Sequence, residues 1–494
     1  MMKIELLREG SKGLEDIYLT NGKFNRHHTG KSIKLMPFVT NNKKLTETIV
    51  DFRSFQGVVG ECFRLSKNKI FDKNFKSDKE TSFKNKLKEY IIKTALDKVD
   101  SDKKEEFENI IINLFFEEDA DLIKFNKQVL PFMNFTIEHS QLNETARFFY
   151  DIFLDEDTLT SDDLISSEND NLFYKLIVDC LPELKAKKTN TKDVKYENLL
   201  NSIKKQFLID FNFLASNEET FLKHVEDLFK YYYFFYLTQL SQRLNSFGNK
   251  DEIEPIYFSM DWEILSQSRL SYQYGWNKLS YSLDGLFAHA VTIELINYIT
   301  IDGRKLGDYV DVKEKYSQLQ EDEKEELIKK IEELSSFYTN HITVLDAGAN
   351  WDKCEKEISE FLENNSYRYP EEISIKLISL YKRVKYQFDN SSRKSALDKY
   401  GNWLYTFCKS NYTKTRGRLG STTVLNQDLL LFLTKLCVGN EDKIRLNQLW
   451  EKLEQRGLIF DEVSKTEIIK LYERINLLEK KSDSGDAQYI KTTI

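Results

Sequence analysis

The sequence predicts a mainly α-helical protein: a multi-helix body followed by a smaller C-terminal module. Two observations carry this. In 494 residues there are only 5 Pro and 18 Gly, too few punctuating residues for loop-rich β structure. From about residue 80 onward, apolar side chains recur at i, i+3, i+4 and i+7, the spacing that lines one face of an α-helix. A chain of 494 residues fits about two to four domains. The patterning divides it into 1–170 (mixed, then helical), 171–410 (a helical body with an aromatic core) and 411–494.

Composition narrows the class. The chain is 40% hydrophobic, with 34 Phe and 26 Tyr, ample for a large core. Its net charge of −8 argues against wrapping nucleic acid with the whole surface and leaves room only for local basic patches. Five cysteines (Cys62, Cys180, Cys354, Cys408, Cys437) stand far apart with no CxxC, which fits reduced, buried thiols in a cytoplasmic protein. The opening MMKIELLREGSKG has no apolar signal-peptide core. The aromatic run Tyr231–Leu237 is too short to span a bilayer. A cytoplasmic protein without membrane contact is expected.

Residues 1 to about 75 are mixed, with short extended pieces such as 33–39. Helical stripes follow at 84–92, 105–116 and 143–153. The acidic stretch 155–171 and the basic stretch 185–196 read as exposed connections. The longest helical signal is 217–244. It contains Tyr231, Tyr232, Tyr233, Phe234, Phe235 and Tyr236, and an element apolar all round is expected to be buried all round. After Pro255 a short strand is expected at 256–258, with Asp261 capping a helix that begins at Trp262. Further helices are expected at 283–298, 321–337, 371–388 and 393–408. The third last of these, 321–337, carries Glu/Lys pairs at i,i+4 and is expected to face solvent or a partner.

The C-terminal module is the most specific part. Asn426 can cap a helix carrying Leu429, Leu430, Leu433 and Leu436, which Gly439-Asn440 ends. Residues 443–446 suggest a small strand. Leu446, Leu449, Trp450 and Leu453 then form a second helical stripe, closed by Gly457. Ser464-Lys465-Thr466-Glu467 reads as a capping box opening a third helix with Ile468, Leu471, Tyr472 and Ile475 inward. Two short extended runs around Asp483-Ser484-Gly485-Asp486 read as a hairpin. Helix, strand, helix, helix, hairpin is the order of a winged helix-turn-helix. Such a module binds DNA with its third helix in the major groove, or docks another protein. From 411 onward there are 14 Lys and Arg against 12 Asp and Glu. The resulting +2 is low for a module that lives by neutralising phosphates. Candidate DNA contacts are Arg416 and Arg418 in the lead-in, Lys465, Lys470 and Arg474 on the third helix, and Lys480 and Lys481 at the hairpin base.

No catalytic or cofactor motif stands out. Thr29-Gly30-Lys31-Ser32 evokes a phosphate loop, but Asn25 occupies the position of its first glycine. Thr343–Asn350 resembles a methyltransferase glycine turn, but helical patterns flank it, so a helix–turn–helix joint is expected. None of the six His lies in HExxH or near a cysteine pair. His289 is expected to be a satisfied core group. Neither a metal nor a cofactor is expected.

The blocks RGRLG…LNQDLLLFLTKLCVG…KIRLNQLWEKLEQRG…SKTEIIKLYERINLLEKKSDSGDAQYIK, KYYYFFYLTQLSQRLN, YFSMDWEILSQSRLSYQYGW and LFAHAVTIELIN together resemble the DptG (DndG) family. That family is the G component of bacterial DNA phosphorothioation-dependent restriction. The resemblance covers about 225–300 and 410–491 and includes no catalytic signature. It implies a non-enzymatic scaffold or DNA-engaging subunit working with an F and an H component, the ATP-using partners, against DNA lacking phosphorothioate, such as phage DNA. A stand-alone winged-helix DNA-binding regulator and a divergent nuclease with scattered carboxylates remain alternatives.

Overall fold

The fold is that of a computed structural model, which describes residues 2–6, 13–41, 45, 54–78, 81–133, 140–154, 171–187, 194–249, 253–342, 345–480 and 488–492. Helices dominate and the sheets are small. The acidic stretch 155–170, residues 188–193 of the basic stretch, Thr343-Val344 and the expected hairpin turn at 481–487 lie outside the described residues.

The chain divides into two compact units. One unit combines 1–42, 237–256 and 272–409; the other combines 43–236, 257–271 and 410–494. The long helix Glu218–Asn245 contributes its residues through Tyr236 to the second unit and from Leu237 to the first. The module 411–494 is therefore part of a larger body that includes the aromatic core.

In the first unit the strand Ile4–Leu6 pairs antiparallel with Ile299–Ile301, which pairs with Arg304–Lys305. The helix Leu286–Ile296 is buried along almost its whole length, as its near-uniform apolarity requires. Helices Glu321–His341, Glu372–Asp389 and Lys394–Asn411 match the later expectations within a few residues, and a further helix runs Trp351–Asn365. The Glu321–His341 helix buries Leu327, Ile331, Leu334 and Tyr338. Its Lys330 pairs with both Glu326 and Glu333, so its charged face is laced as predicted. The pieces at 33–39 form no strand but bury Leu35, Met36 and Phe38. Trp403 donates its indole N–H to the Val39 carbonyl at 2.7 Å.

In the second unit the core is aromatic. Every residue from Tyr231 to Tyr236 is at most 2% exposed. Phe229 stacks on Phe149 at 4.3 Å, and Phe148 meets Tyr233 and Tyr236 edge-on, the offset and T-shaped geometries that ring quadrupoles favour. Expected helices appear as Phe83–Leu96, Lys104–Phe115 and Ser140–Phe153. A four-stranded sheet has the order Leu458–Phe460, Ile256–Met260, Ser421–Leu425, Thr413–Thr415. Its middle pair is parallel, with Leu425 opposite Met260. The strand at 256–258 is thus present and extends to Met260, but Asp261 caps nothing. Residues 261–262 form a turn, and no helix begins at Trp262. The five cysteines are buried and unpaired. No helix of the described residues is long and apolar enough to cross a membrane.

Candidate nucleic-acid interface

The C-terminal elements are Gln427–Val438, Lys443–Arg445, Leu446–Glu454, Leu458–Phe460, Glu462–Arg474, Leu478–Lys480 and Gln488–Lys491. The Asn426 side chain accepts the Leu429 N–H at 2.9 Å and starts the first helix. Gly439, at φ 62°, ends it. Gly457 is required twice over. Its φ is +82°, and a Cβ there would lie 2.3 Å from the Phe235 ring. The strand Lys443–Arg445 pairs antiparallel with Gln488–Lys491, which pairs with Leu478–Lys480. Ile444, Ile490 and Leu478 stand opposite one another across this sheet, and Ile444 and Ile490 are fully buried. Leu449 and Leu453 are likewise buried, whereas Trp450, expected in the same stripe, is only half-buried.

The last helix is capped three residues before the expected position. Asp461, not Ser464, is the N-cap, and its carboxylate accepts the Ser464 N–H at 3.0 Å. Ser464 is drawn elsewhere: its hydroxyl donates to Glu263 at 3.0 Å. Arg269 binds both carboxylates, Asp461 at 2.6 and 2.8 Å and Glu263 at 2.8 Å. The Ser271 hydroxyl and N–H donate to Asp461 at 2.8 and 3.2 Å. Asp461, Glu263, Ser464 and Ser271 are all buried. Burial alone raises the Asp461 pKa. The Arg269 guanidinium, then the Ser464 and Ser271 donors, override it and hold the carboxyl well below the usual carboxylate range. No local pattern points to this network, because Arg269 and Ser271 lie 192 and 190 positions from Asp461, and Glu263 lies 201 from Ser464.

A second buried pair sits below the same module. Arg456 forks onto Asp210 at 2.9 and 2.5 Å. The Tyr232 hydroxyl donates to the same carboxylate at 2.6 Å, and the Tyr231 hydroxyl to the Arg456 carbonyl at 2.6 Å. A cleft of about 620 Å³ has Asp210, Arg456, Lys452 and exposed Ile209 in its lining. Its two buried charges already satisfy each other.

The candidate DNA contacts fall into three groups. Arg416 is committed to the fold: its guanidinium donates to the Glu263 and Met260 carbonyls and to the Thr422 hydroxyl. Lys465, Lys470 and Lys480 are each paired with a carboxylate of the last helix, Glu462 at 2.9 Å, Glu467 at 2.7 Å and Glu473 at 2.5 Å. Arg418 and Arg474 are exposed, with no ion pair among the described residues. Lys481 lies outside the described residues. The sheet adds cations that were not singled out: Lys443, Arg445 and Lys491 alternate with buried Ile444 and Ile490 and so face outward. Lys443 is paired with Glu479.

The phosphate-loop look-alike is filled from within. The Lys31 and Ser32 N–H groups both donate to Glu294 at 3.0 Å, and the Ser32 hydroxyl joins them at 3.2 Å. A carboxylate of the same unit thus takes the backbone donors that an anion would use. His289 is buried, stacks on Tyr381 at 4.0 Å and meets the Tyr309 hydroxyl at 3.1 Å through Nδ1. Its Nε2 has no hydrogen-bond partner, so it is half satisfied, and burial lowers its pKa to about 3. Residues 345–350 join two helices, with Asn350 capping Trp351–Asn365. Among the described residues no group of three His, Cys, Asp or Glu is placed to hold a metal.

No family model matches the chain, and no curated protein matches it.

Proposed function

We propose that this chain is a non-enzymatic scaffold and DNA-engaging subunit of a phosphorothioation-dependent restriction complex, acting in the cytoplasm on unmodified DNA such as that of phage. In this reading residues 420–491 form a winged helix-turn-helix. The observation that carries it is the sheet order at the C-terminus. The strand between the first two helices pairs with the final strand, and that strand pairs with the one following the last helix. Such a strand order supports a winged-helix reading, in which the third helix would be offered to a groove. The resemblance of 225–300 and 410–491 to the DptG family supplies the biological context. F and H components of ATPase and translocase type would provide the motor.

The paired lysines set the strength of DNA contact. Each of Lys465, Lys470 and Lys480 would have to exchange a carboxylate for a phosphate, so little net charge is gained. DNA contact is therefore weak and sequence-independent, and is made within the complex. The direct test is co-purification of the full chain with F and H components of such a system. A stoichiometric three-protein complex that contacts unmodified duplex is expected. Absence of any complex would overturn the reading.

A further inference from the structure

The stretch 17–46 departs from the acidic average of the chain. It contains no Asp or Glu, although the chain has 80 in 494 positions, and its charged side chains are Lys23, Arg26, Lys31, Lys34, Lys43 and Lys44. Its described part, in the first unit, forms the strand pair Leu19–Thr20 and Lys23–Phe24 and then a loop through residue 32. The loop is pinned from within the unit. The Asn25 N–H bonds the Tyr18 carbonyl at 2.9 Å, His28 Nε2 meets the Ile17 carbonyl at 3.3 Å, and the Lys31 and Ser32 N–H groups bond Glu294 at 3.0 Å. Glu294 is buried, whereas the Arg26 and Lys31 side chains are exposed, with no ion pair among the described residues. The cations lie in one cluster. Burial, then Lys31, lowers the His28 pKa and Arg26 adds to it, against the Ile17 carbonyl and Glu294. Burial, then Arg393 and His28, pushes His27 down to about 3. The Arg393 guanidinium lies 3.4 Å from His27 Nδ1, donates to the Asn25 carbonyl at 2.8 Å and covers the Phe24 ring at 4.8 Å. Neighbouring carboxylates do not cancel this charge. Glu294 is consumed by the loop, Asp389 by Lys385 and Lys394, and Glu15 reaches His341 at 3.7 Å. Asp346 is exposed beside Asn390, but no carboxylate of the described residues acts on Arg393 or His27.

We infer that Arg26 and Lys31, with Arg393 held beside His27, form a phosphate-binding surface that tracks the backbone of duplex DNA without reading its sequence. The makeup of the surface selects this partner. None of the exposed large apolar side chains falls within 17–41. A protein interface is anchored by an apolar or aromatic centre, and a membrane-surface element by an apolar face. A phosphate backbone asks only for cations and donors, and a guanidinium fork matches two phosphate oxygens. The aromatic ring at hand, Phe24, is covered by Arg393 and offers no platform for unpaired bases, which favours duplex over single strands. Arg26 and Lys31 also differ from Lys465, Lys470 and Lys480. They have no carboxylate to give up, so each phosphate contact gains a whole charge.

This inference takes DNA as the ligand from the proposed function, but places a contact in the first unit, outside the C-terminal module. Its test uses Arg26→Ala with Lys31→Ala in the full chain, checked by circular dichroism and thermal melting. Both side chains are exposed, and alanine at 31 keeps the N–H that bonds Glu294, so wild-type folding is expected. Binding to a labelled duplex is measured from about 50 to 200 mM salt, alone and with F and H components. Losing two phosphate contacts should flatten log K against log salt by about 1.8, equally for two unrelated sequences. Arg26→Lys with Lys31→Arg should keep the wild-type slope. Should the double variant melt early, Arg26→Ala alone carries the test, with an expected change of about 0.9. A double-variant slope within about 0.5 of wild type, or a loss confined to one sequence, overturns the inference. A double variant that keeps the slope but no longer joins F and H marks a protein interface: the inference falls and the proposed function stands. If wild type forms no complex yet the slope flattens, the inference stands and the proposed function fails. If wild type binds no duplex, alone or with F and H, the inference fails.

Discussion

The buried start and the outer face of the last helix differ in how they use charge. At its start, Asp461 and Ser464 are buried and tied to Arg269, Glu263 and Ser271. On its outer face, Lys465 and Lys470 make single i,i+3 pairs with Glu462 and Glu467. The buried end carries stability because removing one partner strands the others out of water. The exposed pairs are worth well under about 1 kcal/mol each and weaken with salt. In the proposed DNA-reading role this helix would be anchored strongly at its start and nearly neutral on the face offered to DNA.

Cutting the anchor should have the largest effect. Arg269→Met leaves Glu263 and Asp461 buried without their cation and should cost about 3–5 kcal/mol of unfolding free energy, measured by chemical denaturation. Lys470→Ala in the same assay should cost less than about 0.5 kcal/mol. Comparable losses would erase the contrast between the buried start and the outer face.

Acid sharpens the contrast next. The folded-state pKa of Asp461 is depressed below its unfolded value. Its stabilisation is therefore fully present above about pH 4 and is lost as pH falls toward the folded value. The stability gap between wild type and Asp461→Asn, followed by denaturation from pH 6 downward, should stay constant to about pH 4 and then shrink. A gap that instead closes between pH 7 and 5 would place the effect on another group.

Much of the helical fold was legible because it rests on local pattern. The stripes, the Asn426 cap and Gly457 all act within a few residues. The errors share one cause, distant partners. Ser464…Glu467 had the spacing of a capping box, but Glu263 holds the serine hydroxyl, and Asp461 caps instead. The strand Leu458–Phe460 was missed because its pairing partner is Ile256–Met260. Arg416 looked like a solvated cation because its carbonyl acceptors lie about 150 positions away. Each compact unit gathers three stretches separated in sequence, which local pattern does not reveal. Among the described candidate contacts, only Arg418 and Arg474 stand exposed without an ion pair, a distinction that needs side-chain geometry.

The measurement that tests the account most directly is the salt dependence of duplex DNA binding, for wild type and for Lys465→Ala with Lys470→Ala and Arg474→Ala. Three free phosphate contacts would flatten log K against log salt by about 2.7. Because two of the three cations begin paired with carboxylates, the account predicts a change nearer about one unit, with binding that tightens only when the partner subunits are present. Nanomolar binding by the isolated chain in physiological salt, or a change near the full three-contact value, would contradict it.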